Sequence, residues 1–227
     1  MGYKDVREWI QKVQEMGELK VVEGADWNLE IGALSVLASK HKENSRALLF
    51  DKIKDYPAGY RILVGFFESL KRSALTTNLP LDISRDGFIQ AWRERLAKPA
   101  SIPPVTVANG PILENVFTGD DIDLFKFPVP FWHERDGGRY IGTGHVVITR
   151  DPDDGWVNVG CYRVMVHDRN TMGMNISPGK HGRMHRQKYF DRGKPCPVVC
   201  CFGVDPLLHM FATRPEPYGR SEFDAVG

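Results

Sequence analysis

The first hundred residues alternate between apolar patterns with helical spacing and short strand-like runs. A first helix is predicted before Gly17, because four apolar residues recur at helical intervals: Val6, Trp9, Ile10 and Val13. A second helix is predicted within residues 26–40, on the apolar stripe formed by Leu29, Ala33, Leu34 and Leu37. Each stripe would bury one face of its helix against a core.

Two strands and two further helices complete this N-terminal pattern. The strands are separated by a turn rich in Pro and Gly, and are predicted at residues 46–53 and 60–67. The helices follow them, at residues 69–78 and 84–96. Ser84 or Asp86 is the expected N-cap of the later helix, because a short polar side chain there can accept a backbone hydrogen bond.

The pattern changes near Lys98, where "KPASIPPVTVANGP" concentrates residues that disfavour helix. Beyond it, four segments with strand-like patterning end at Pro, Gly or Asp: residues 124–130, 140–152, 156–168 and 196–206. The motif "DPDDG" predicts a hairpin, and one helix is predicted from His185 to Arg192. We therefore predict an α+β fold, with an N-terminal α/β domain over residues 1–100 and an antiparallel β barrel or sandwich over residues 101–227.

The last residues, "RSEFDAVG", show no predicted terminal helix, cap or polar tail. An unfinished β domain leaves open strand edges, which natural proteins usually cover. We therefore expect that further sequence follows in the native protein, or that a partner chain completes the fold.

Composition narrows the classes of function. The 227 residues carry a net charge of +1, so no overall basic field would gather nucleic acid. No apolar run is long enough for a membrane span, and the charged N-terminus is unlike a secretory signal, so we expect a cytoplasmic protein. The four cysteines, Cys161, Cys196, Cys200 and Cys201, have neither zinc-ligand nor disulfide-framework spacing, and "CPVVCC" is predicted as a buried strand.

Three polar residues in the β half form a candidate metal site: Asn158, His181 and Glu222. An amide oxygen, an imidazole and a carboxylate suit Mn²⁺ or Mg²⁺ better than Zn²⁺ or copper, and leave coordination positions open for a phosphate oxygen. Spacing alone does not distinguish this set from ordinary surface residues. Strict alternation would also place Asn158 and Arg163 on opposite faces of one strand, unless Gly160 marks a bulge.

The turn "NISPGKHGRMHRQ" is a second candidate site. Gly179 and Gly182 free the backbone, while several basic residues precede a predicted helix. Such a turn is suited to binding a phosphate at the helix N-terminus. A solvated basic loop explains the same composition equally well.

Three ordered motifs resemble the UbiD family of decarboxylases: "YIGTGHVVITRDPDDGWVNVGCYRVMVHDRNTMGM", "SPGKHGRMHRQKYFDRGKPCPV" and "PYGRSEFDAVG". The opening "EWIQKVQEMGELKVV", with "LEIGAL" and "ALLFDKI", is similar to the N-terminal segment of that family. The loop "TMGM-ISPGKHGR-H" is most similar to branches that act on hydroxybenzoate-type acids. The resemblance therefore covers the whole chain.

The resemblance implies a fold, cofactors and site residues. The β domain would be a split β-barrel that binds prenylated FMN, whose phosphate is held through Mn²⁺ (or Mg²⁺) with K⁺ nearby. The implied metal ligands are Asn158, His181 and Glu222, although other branches lack the histidine. The implied cofactor contacts are Cys161, Tyr162, Arg163, Asn175, Ile176, Ser177, Lys180 and His181. Arg163 also matches the catalytic arginine of the family.

The same resemblance leaves two functions open. One is non-oxidative, reversible decarboxylation of an aromatic or α,β-unsaturated carboxylic acid, with a phenolic acid favoured. The other is a non-catalytic or split subunit that binds flavin and metal for a partner chain, because the later carboxylates and a phosphate-binding lysine of the family have no match here. A flavin reductase would share the barrel but would not explain Asn158 with Glu222. We expect a flavin prenyltransferase as cofactor supplier, and a homo-oligomer or a partner subunit.

Overall fold

A computed structural model describes residues 2–40, 45–97 and 102–227. These residues form two compact units, each assembled from separate pieces of the chain. The first unit comprises Met1–Ala100, Pro128–Arg139 and Gly203–Leu207. The second unit comprises Ser101–Phe127, Tyr140–Phe202 and Leu208–Gly227. The predicted boundary falls on residues 98–101, which lie outside the described ranges, so the division into domains at residue 100 stays a prediction.

The first unit begins with helix α1 (Val6–Glu15), which confirms the first predicted helix. Asp5 caps its N-terminus by accepting hydrogen bonds from two backbone N–H groups of the first turn. Trp9 and Val13 lie on one face of the helix and are fully buried. Gly17 adopts a positive φ of 71° just after the helix, a conformation that suits glycine at a helix end. The local sequence therefore defines both ends of α1.

A three-stranded sheet lies at the centre of this unit, with strand order β1–β2–β3. Its strands are β1 (Leu19–Glu23), β2 (Ala47–Asp51) and β3 (Ile62–Val64). β2 and β3 are antiparallel and confirm the two predicted strands, whereas β1 pairs in parallel with β2 and was not predicted. The first four residues of β2 are buried, as expected for the central strand of a covered sheet.

Three further helices belong to this unit: α2 (Glu30–Lys40), α3 (Leu70–Thr76) and α4 (Arg85–Ala97). All three confirm predicted helices, and the Ser84 hydroxyl accepts a hydrogen bond from the backbone of Gly87 at 3.1 Å at the start of α4. The predicted apolar stripe of α2 is wrong, because Ala33 and Leu37 are exposed. Gly32 is buried instead, and a Cβ there would lie 1.9 Å from a backbone oxygen, so close backbone packing sets the rotation of this helix.

The interior of the first unit contains a buried arginine. Arg72 on α3 is fully buried, and its Nη1 lies 2.7 Å from Oε2 of Glu18 and 2.8 Å from the carbonyl oxygen of Ser45. Burial lowers the pKa of Arg72, while the charges of Glu18 and Glu68 act in the opposite direction. The charged guanidinium is therefore held in the core by its carboxylate partners.

The described part of the second unit contains two three-stranded sheets, β4–β7–β8 and β6–β5–β9. Their strands are β4 (Arg139–Gly142), β5 (Val146–Arg150), β6 (Val157–Gly160), β7 (Arg163–Val166), β8 (Met172–Asn175) and β9 (Val198–Cys201). The pairs β5–β6, β5–β9 and β7–β8 are antiparallel, as predicted. The hairpin at "DPDDG" is confirmed as the connection between β5 and β6.

Several predicted strands differ from those in the structure. Residues 140–152 and 156–168 each contain two strands rather than one, and the two strands of each segment belong to different sheets. Residues 124–130 contain no strand and begin with a 3₁₀ turn, because Pro128 and Pro130 cannot donate ladder hydrogen bonds. The "CPVVCC" strand is β9, which is not buried but lies at a sheet edge with its two valines about half exposed.

The helices of the C-terminal part are α5 (His181–Asp191), α6 (Pro206–Thr213) and α7 (Glu222–Val226). α5 confirms the predicted helix but begins four residues earlier than His185, and this places His181 in its first turn. α6 and α7 were not predicted, so the expectation of an end without a terminal helix is wrong. No helix within the described ranges is long and apolar enough to cross a membrane.

A histidine lies in the core beside β5. His145 is 1% exposed, and its ring stacks on Phe202 with the centroids 5.4 Å apart. Gly142 leaves room for this ring, since a Cβ there would lie 2.5 Å from it. Burial lowers the pKa of His145 from 6.5 to about 4, because the charged imidazolium is poorly solvated there.

We expect acidification to destabilise the protein through His145. The pKa is depressed in the folded state, so the unfolded chain binds the proton more tightly, and stability is lost as the pH falls from 6.5 towards about 4. The contribution of His145 should be about 2 kcal/mol between about pH 7.5 and about pH 5. Urea unfolding of the wild type and of His145→Gln at both pH values measures it.

The exposed residue His133 provides the control for this experiment, through the same substitution, His133→Gln. The His145→Gln protein should lose less stability on acidification than the wild type, and the His133→Gln protein should behave as the wild type does. An equal loss in all three proteins would show that another group is responsible.

Candidate functional site

Asn158 lies in the middle of β6, opposite Thr149 of β5, and its side chain is 2% exposed. Its Nδ2 group donates hydrogen bonds to the hydroxyl of Tyr162 at 3.1 Å and to the hydroxyl of Thr149 at 3.3 Å. The nitrogen end of the amide therefore has two partners. The oxygen end, Oδ1, is the atom with which an amide binds a metal ion.

Glu222 is the first residue of the short helix α7, which brings it against strand β6. Its Oε2 accepts a hydrogen bond from the backbone N–H of Val159 at 2.7 Å, across 63 residues of sequence. The side chain is 3% exposed, and burial raises its pKa, while the Val159 N–H lowers it. No ion pair in the described ranges involves Glu222. A buried carboxylate of this kind is stabilised by a nearby cation.

His181 is the first residue of α5 and is partly buried. Its ring packs edge-on against Trp156, with centroids 4.9 Å apart, and lies 5.9 Å from the ring of Tyr218. Burial lowers the pKa of His181, and the charge of Lys180 lowers it further. The neutral imidazole, which is the form that binds metals, is therefore favoured at neutral pH.

The Tyr162 hydroxyl connects the strand of Asn158 with the helix of His181. It accepts a hydrogen bond from Nδ2 of Asn158 and a second from the backbone N–H of Gly182 at 3.2 Å. Because Gly182 directly follows His181, one hydroxyl links the surroundings of two predicted ligands. The third, Glu222, is bonded to the residue after Asn158. All three predicted ligands therefore belong to one region of the second unit.

The chemistry of these side chains fits a hard or borderline divalent cation. The set combines an amide oxygen, an imidazole and a carboxylate, and the carboxylate is buried and has no cationic side chain as a partner in the described ranges. Groups of three or more His, Cys, Asp or Glu side chains placed to hold a metal are absent from the described residues. The predicted set contains only two such residues, His181 and Glu222, beside its asparagine. Because two of its three donor atoms are oxygens, Mn²⁺ or Mg²⁺ fits it better than Zn²⁺.

Arg163 is separated from Asn158 by a change of sheet. The chain leaves β6 at Gly160, passes Cys161 and Tyr162, and enters β7 at Arg163. The predicted bulge at Gly160 is therefore wrong, because the two residues do not belong to one strand. Arg163 is exposed, and its guanidinium lies 6.0 Å from the ring centre of Tyr140.

The remaining predicted cofactor contacts lie in the segment that precedes α5 and in the connection between β6 and β7. Asn175, Ser177 and Lys180 are exposed, as a surface that binds a ligand requires. Ile176 differs, because its side chain is buried in the core with Val147, Tyr162 and Val164. Cys161 is half-buried, and its backbone N–H donates to the carbonyl oxygen of Ala212 at 3.1 Å.

Three residues beside the site were not found from the sequence: Thr149, Asp151 and His185. His185 is fully buried, with its Nδ1 3.0 Å from the Thr149 hydroxyl and its Nε2 3.6 Å from Oδ2 of Asp151. The same Asp151 oxygen lies 2.6 Å from Nζ of Lys188. The spacing of His181 and His185 on one helix was the available signal, and it was missed because the predicted helix began at His185.

Two family profiles match the sequence. The N-terminal domain of 3-octaprenyl-4-hydroxybenzoate carboxy-lyase matches residues 10–91, and the Rift-related domain of the same carboxy-lyase matches residues 104–227. The second match alone covers more than half of the chain. The chain therefore belongs to the UbiD family, which confirms the resemblance inferred from its motifs.

Named relatives are decarboxylases of aromatic acids. Pyrrole-2-carboxylic acid decarboxylase of Pseudomonas aeruginosa is 34% identical over 98% of this chain and 46% of the relative. A phenolic acid decarboxylase of Sedimentibacter hydroxybenzoicus is 32% identical over 99% of this chain and 48% of the relative. The chain thus spans about half the length of these curated relatives.

Solved structures share the fold. Vanillic acid decarboxylase of Sedimentibacter hydroxybenzoicus in its closed form superposes with a TM-score of 0.92 at 30% identity, over 100% of this chain and 48% of the other. The UbiD-class enzyme HmfF of Pelotomaculum thermopropionicum in complex with FMN gives a TM-score of 0.84 at 26% identity, over 98% of this chain and 48% of the other. The mixed α+β class is therefore confirmed, whereas the split barrel stays a prediction.

Proposed function

We propose that this chain takes part in the non-oxidative, reversible decarboxylation of an aromatic or α,β-unsaturated carboxylic acid, with prenylated FMN and Mn²⁺ or Mg²⁺ as cofactors. Membership of the UbiD family and the names of the relatives support the reaction class. One structural observation carries the proposal: Asn158 and Glu222 are both buried, and Glu222 accepts a hydrogen bond from the backbone N–H of Val159, the residue after Asn158. A phenolic acid is the favoured substrate, because the decarboxylase of Sedimentibacter hydroxybenzoicus that matches this chain is named for phenolic or vanillic acid.

We further propose an α/β domain over residues 1–100 and a split β-barrel domain for flavin and metal over residues 101–227. Asn158, His181 and Glu222 would hold the divalent ion, which in turn binds the phosphate of the flavin, with K⁺ nearby. The flavin contacts would be Cys161, Tyr162, Arg163, Asn175, Ile176, Ser177, Lys180 and His181. The exposed basic turn before α5 suits a phosphate, because an N-terminal helix turn and Lys180 both attract anions.

Each polar group would then have a distinct task. Loss of CO₂ from an sp² carbon leaves an electron pair that side chains cannot accept, and the bound prenylated flavin supplies the electron sink. Arg163 would bind the carboxylate of the substrate, since its planar guanidinium can donate two parallel hydrogen bonds, which lysine cannot. Its exposure at the start of β7 leaves the guanidinium accessible to a ligand.

A second candidate is a subunit that binds flavin and metal and becomes active with a partner chain. The likeness to vanillic acid decarboxylase supports it, because that structure includes a second component, ShVdcD. In either case we propose a flavin prenyltransferase as the source of the cofactor, and association into a homo-oligomer or with a partner subunit.

Coexpression with a flavin prenyltransferase tests the proposal. The purified protein should show the visible absorption of a bound flavin and contain stoichiometric manganese after growth with Mn²⁺. Release of CO₂ from a panel of hydroxybenzoates, measured on the same sample, distinguishes the two candidates. Flavin and metal with CO₂ release support the enzyme, and flavin and metal without it support the subunit. A protein that binds neither flavin nor manganese would contradict both.

A further inference from the structure

A buried set of side chains holds Asn158 in place, and we call it the orienting network: Asp151, His185, Thr149 and Tyr162. These residues are between 0% and 6% exposed, and none of them is a predicted metal ligand. Buried polar groups of this kind are costly unless their hydrogen bonds are satisfied. Their arrangement around the amide of Asn158 therefore indicates a role beyond packing.

The network has a defined direction, which starts at Asp151. Its carboxylate is paired with Lys188 at 2.6 Å. Its Oδ2 lies 3.6 Å from Nε2 of His185, which is too far for a hydrogen bond, but the negative charge of Asp151 favours the tautomer with the proton on Nε2. Nδ1 of His185 is then an acceptor, and at 3.0 Å it takes the hydroxyl proton of Thr149. The Thr149 oxygen in turn presents its lone pairs to Nδ2 of Asn158.

Tyr162 fixes the same amide from the other side. Its hydroxyl accepts one hydrogen bond from Nδ2 of Asn158 and one from the N–H of Gly182. Two glycines leave room for its ring, since a Cβ at Gly160 would lie 2.4 Å from the ring and a Cβ at Gly182 would lie 2.7 Å from it. The ring therefore has little freedom, and the hydroxyl is held where the amide needs it.

We propose that the orienting network positions the metal site by turning Oδ1 of Asn158 towards the ion. This inference rests on the proposed function, because it assumes that Asn158 is a metal ligand. Both Nδ2 hydrogens of Asn158 are donated to hydroxyls of the network. If the amide rotated, its oxygen would face the Thr149 oxygen, which has no proton to donate because that proton is shared with His185. Outer groups that orient metal ligands are known to affect affinity strongly.

The test is a titration of the 227-residue protein with Mn²⁺, followed by the electron paramagnetic resonance signal of the free ion. Thr149→Val removes the hydroxyl at nearly constant volume and should weaken Mn²⁺ binding about 10- to 100-fold, as should Tyr162→Phe. Thr149→Ser restores the hydroxyl without the methyl group and should restore most of the affinity, which would not be expected if Thr149 acted only through the packing of its methyl group. Tyr189→Phe, on the same helix α5 but outside the network, should bind as the wild type does.

The outcomes separate this inference from the proposed function. The inference is wrong, and the metal site stands, if Asn158→Ala abolishes the Mn²⁺ binding of the wild type while Thr149→Val and Tyr162→Phe bind Mn²⁺ as tightly as the wild type. If the wild type itself fails to bind, the metal site and the inference both fall. Thermal unfolding without metal checks each variant, and if Thr149→Val does not fold, Tyr162→Phe, which removes a single oxygen atom, decides.

Discussion

Glu222→Gln is expected to abolish Mn²⁺ binding while leaving the fold intact. Glutamine keeps the length of the side chain and an oxygen that can accept the Val159 N–H, but it removes the negative charge. A lost ligand charge should weaken Mn²⁺ binding by more than about 100-fold, beyond the range typical of residues that only orient a ligand. The measurements are a Mn²⁺ titration and the retention of flavin in protein coexpressed with a prenyltransferase.

The stability of Glu222→Gln without metal distinguishes a ligand from a structural residue. Burial raises the pKa of Glu222, so the charged side chain is disfavoured in the folded protein without a cation. The Glu222→Gln protein should then be at least as stable as the wild type in metal-free buffer, although it has lost the metal. Lower stability together with weaker binding would instead indicate a structural role for Glu222.

Asp224→Asn is the matched control, because it removes the same charge from the same short helix α7, two residues further on. It should bind Mn²⁺ as the wild type does. If Asp224→Asn and Glu222→Gln lose affinity equally, the general charge of α7 attracts the ion and Glu222 is not a specific ligand.

Glu18→Ala is expected to destabilise the first unit by about 3 kcal/mol, because it leaves the charge of Arg72 in the core without its nearest partner. Arg72 is fully buried, and Oε2 of Glu18 lies 2.7 Å from it, whereas Glu68 is more distant at 3.7 Å. Burial already lowers the pKa of Arg72, and Glu18 is the largest opposing influence. Chemical denaturation followed by tryptophan fluorescence, to which the buried Trp9 contributes, measures the loss.

Glu23→Ala provides the comparison for this prediction. Glu23 also belongs to the β1 region and pairs with Lys52 at 2.9 Å, but both side chains are more than half exposed. Exposed ion pairs contribute little, so this variant should lose less than about 1 kcal/mol. Similar losses of stability in the two variants would mean that the burial of Arg72 does not increase the contribution of its ion pair.

Elements with strong local signals were predicted correctly. Helix α1 has an amphipathic stripe, a capping Asp5 and a terminating Gly17, and all three act within one segment. The β5–β6 hairpin follows from a turn sequence that is itself sufficient to reverse the chain. Such features need no information from distant residues.

Elements whose form depends on distant partners were missed or misplaced. β1 became a strand by pairing with β2, and its own five residues carry little strand pattern. The apolar positions change from odd (Val157, Val159) to even (Val164, Val166) between β6 and β7, but a bulge would produce the same change, so the pattern did not reveal that the chain changes sheets there. The apolar residues of β9 suggested burial, whereas its place at a sheet edge leaves its two valines half exposed.

The candidate site divides in the same way. The predicted metal ligands rest on family motifs, since the spacing of one Asn, one His and one Glu carries almost no information. The amino-acid sequence alone established the family, the α+β class and the chemical types of the predicted ligands, because these depend on which residues are present and in what order. Only the tertiary structure decided that Glu222 meets Val159, that Tyr162 joins Asn158 to Gly182, and that the Thr149 hydroxyl lies between the amide of Asn158 and a buried histidine. Contacts between distant segments follow from how sheets and helices pack, and local patterns along the chain do not encode that packing.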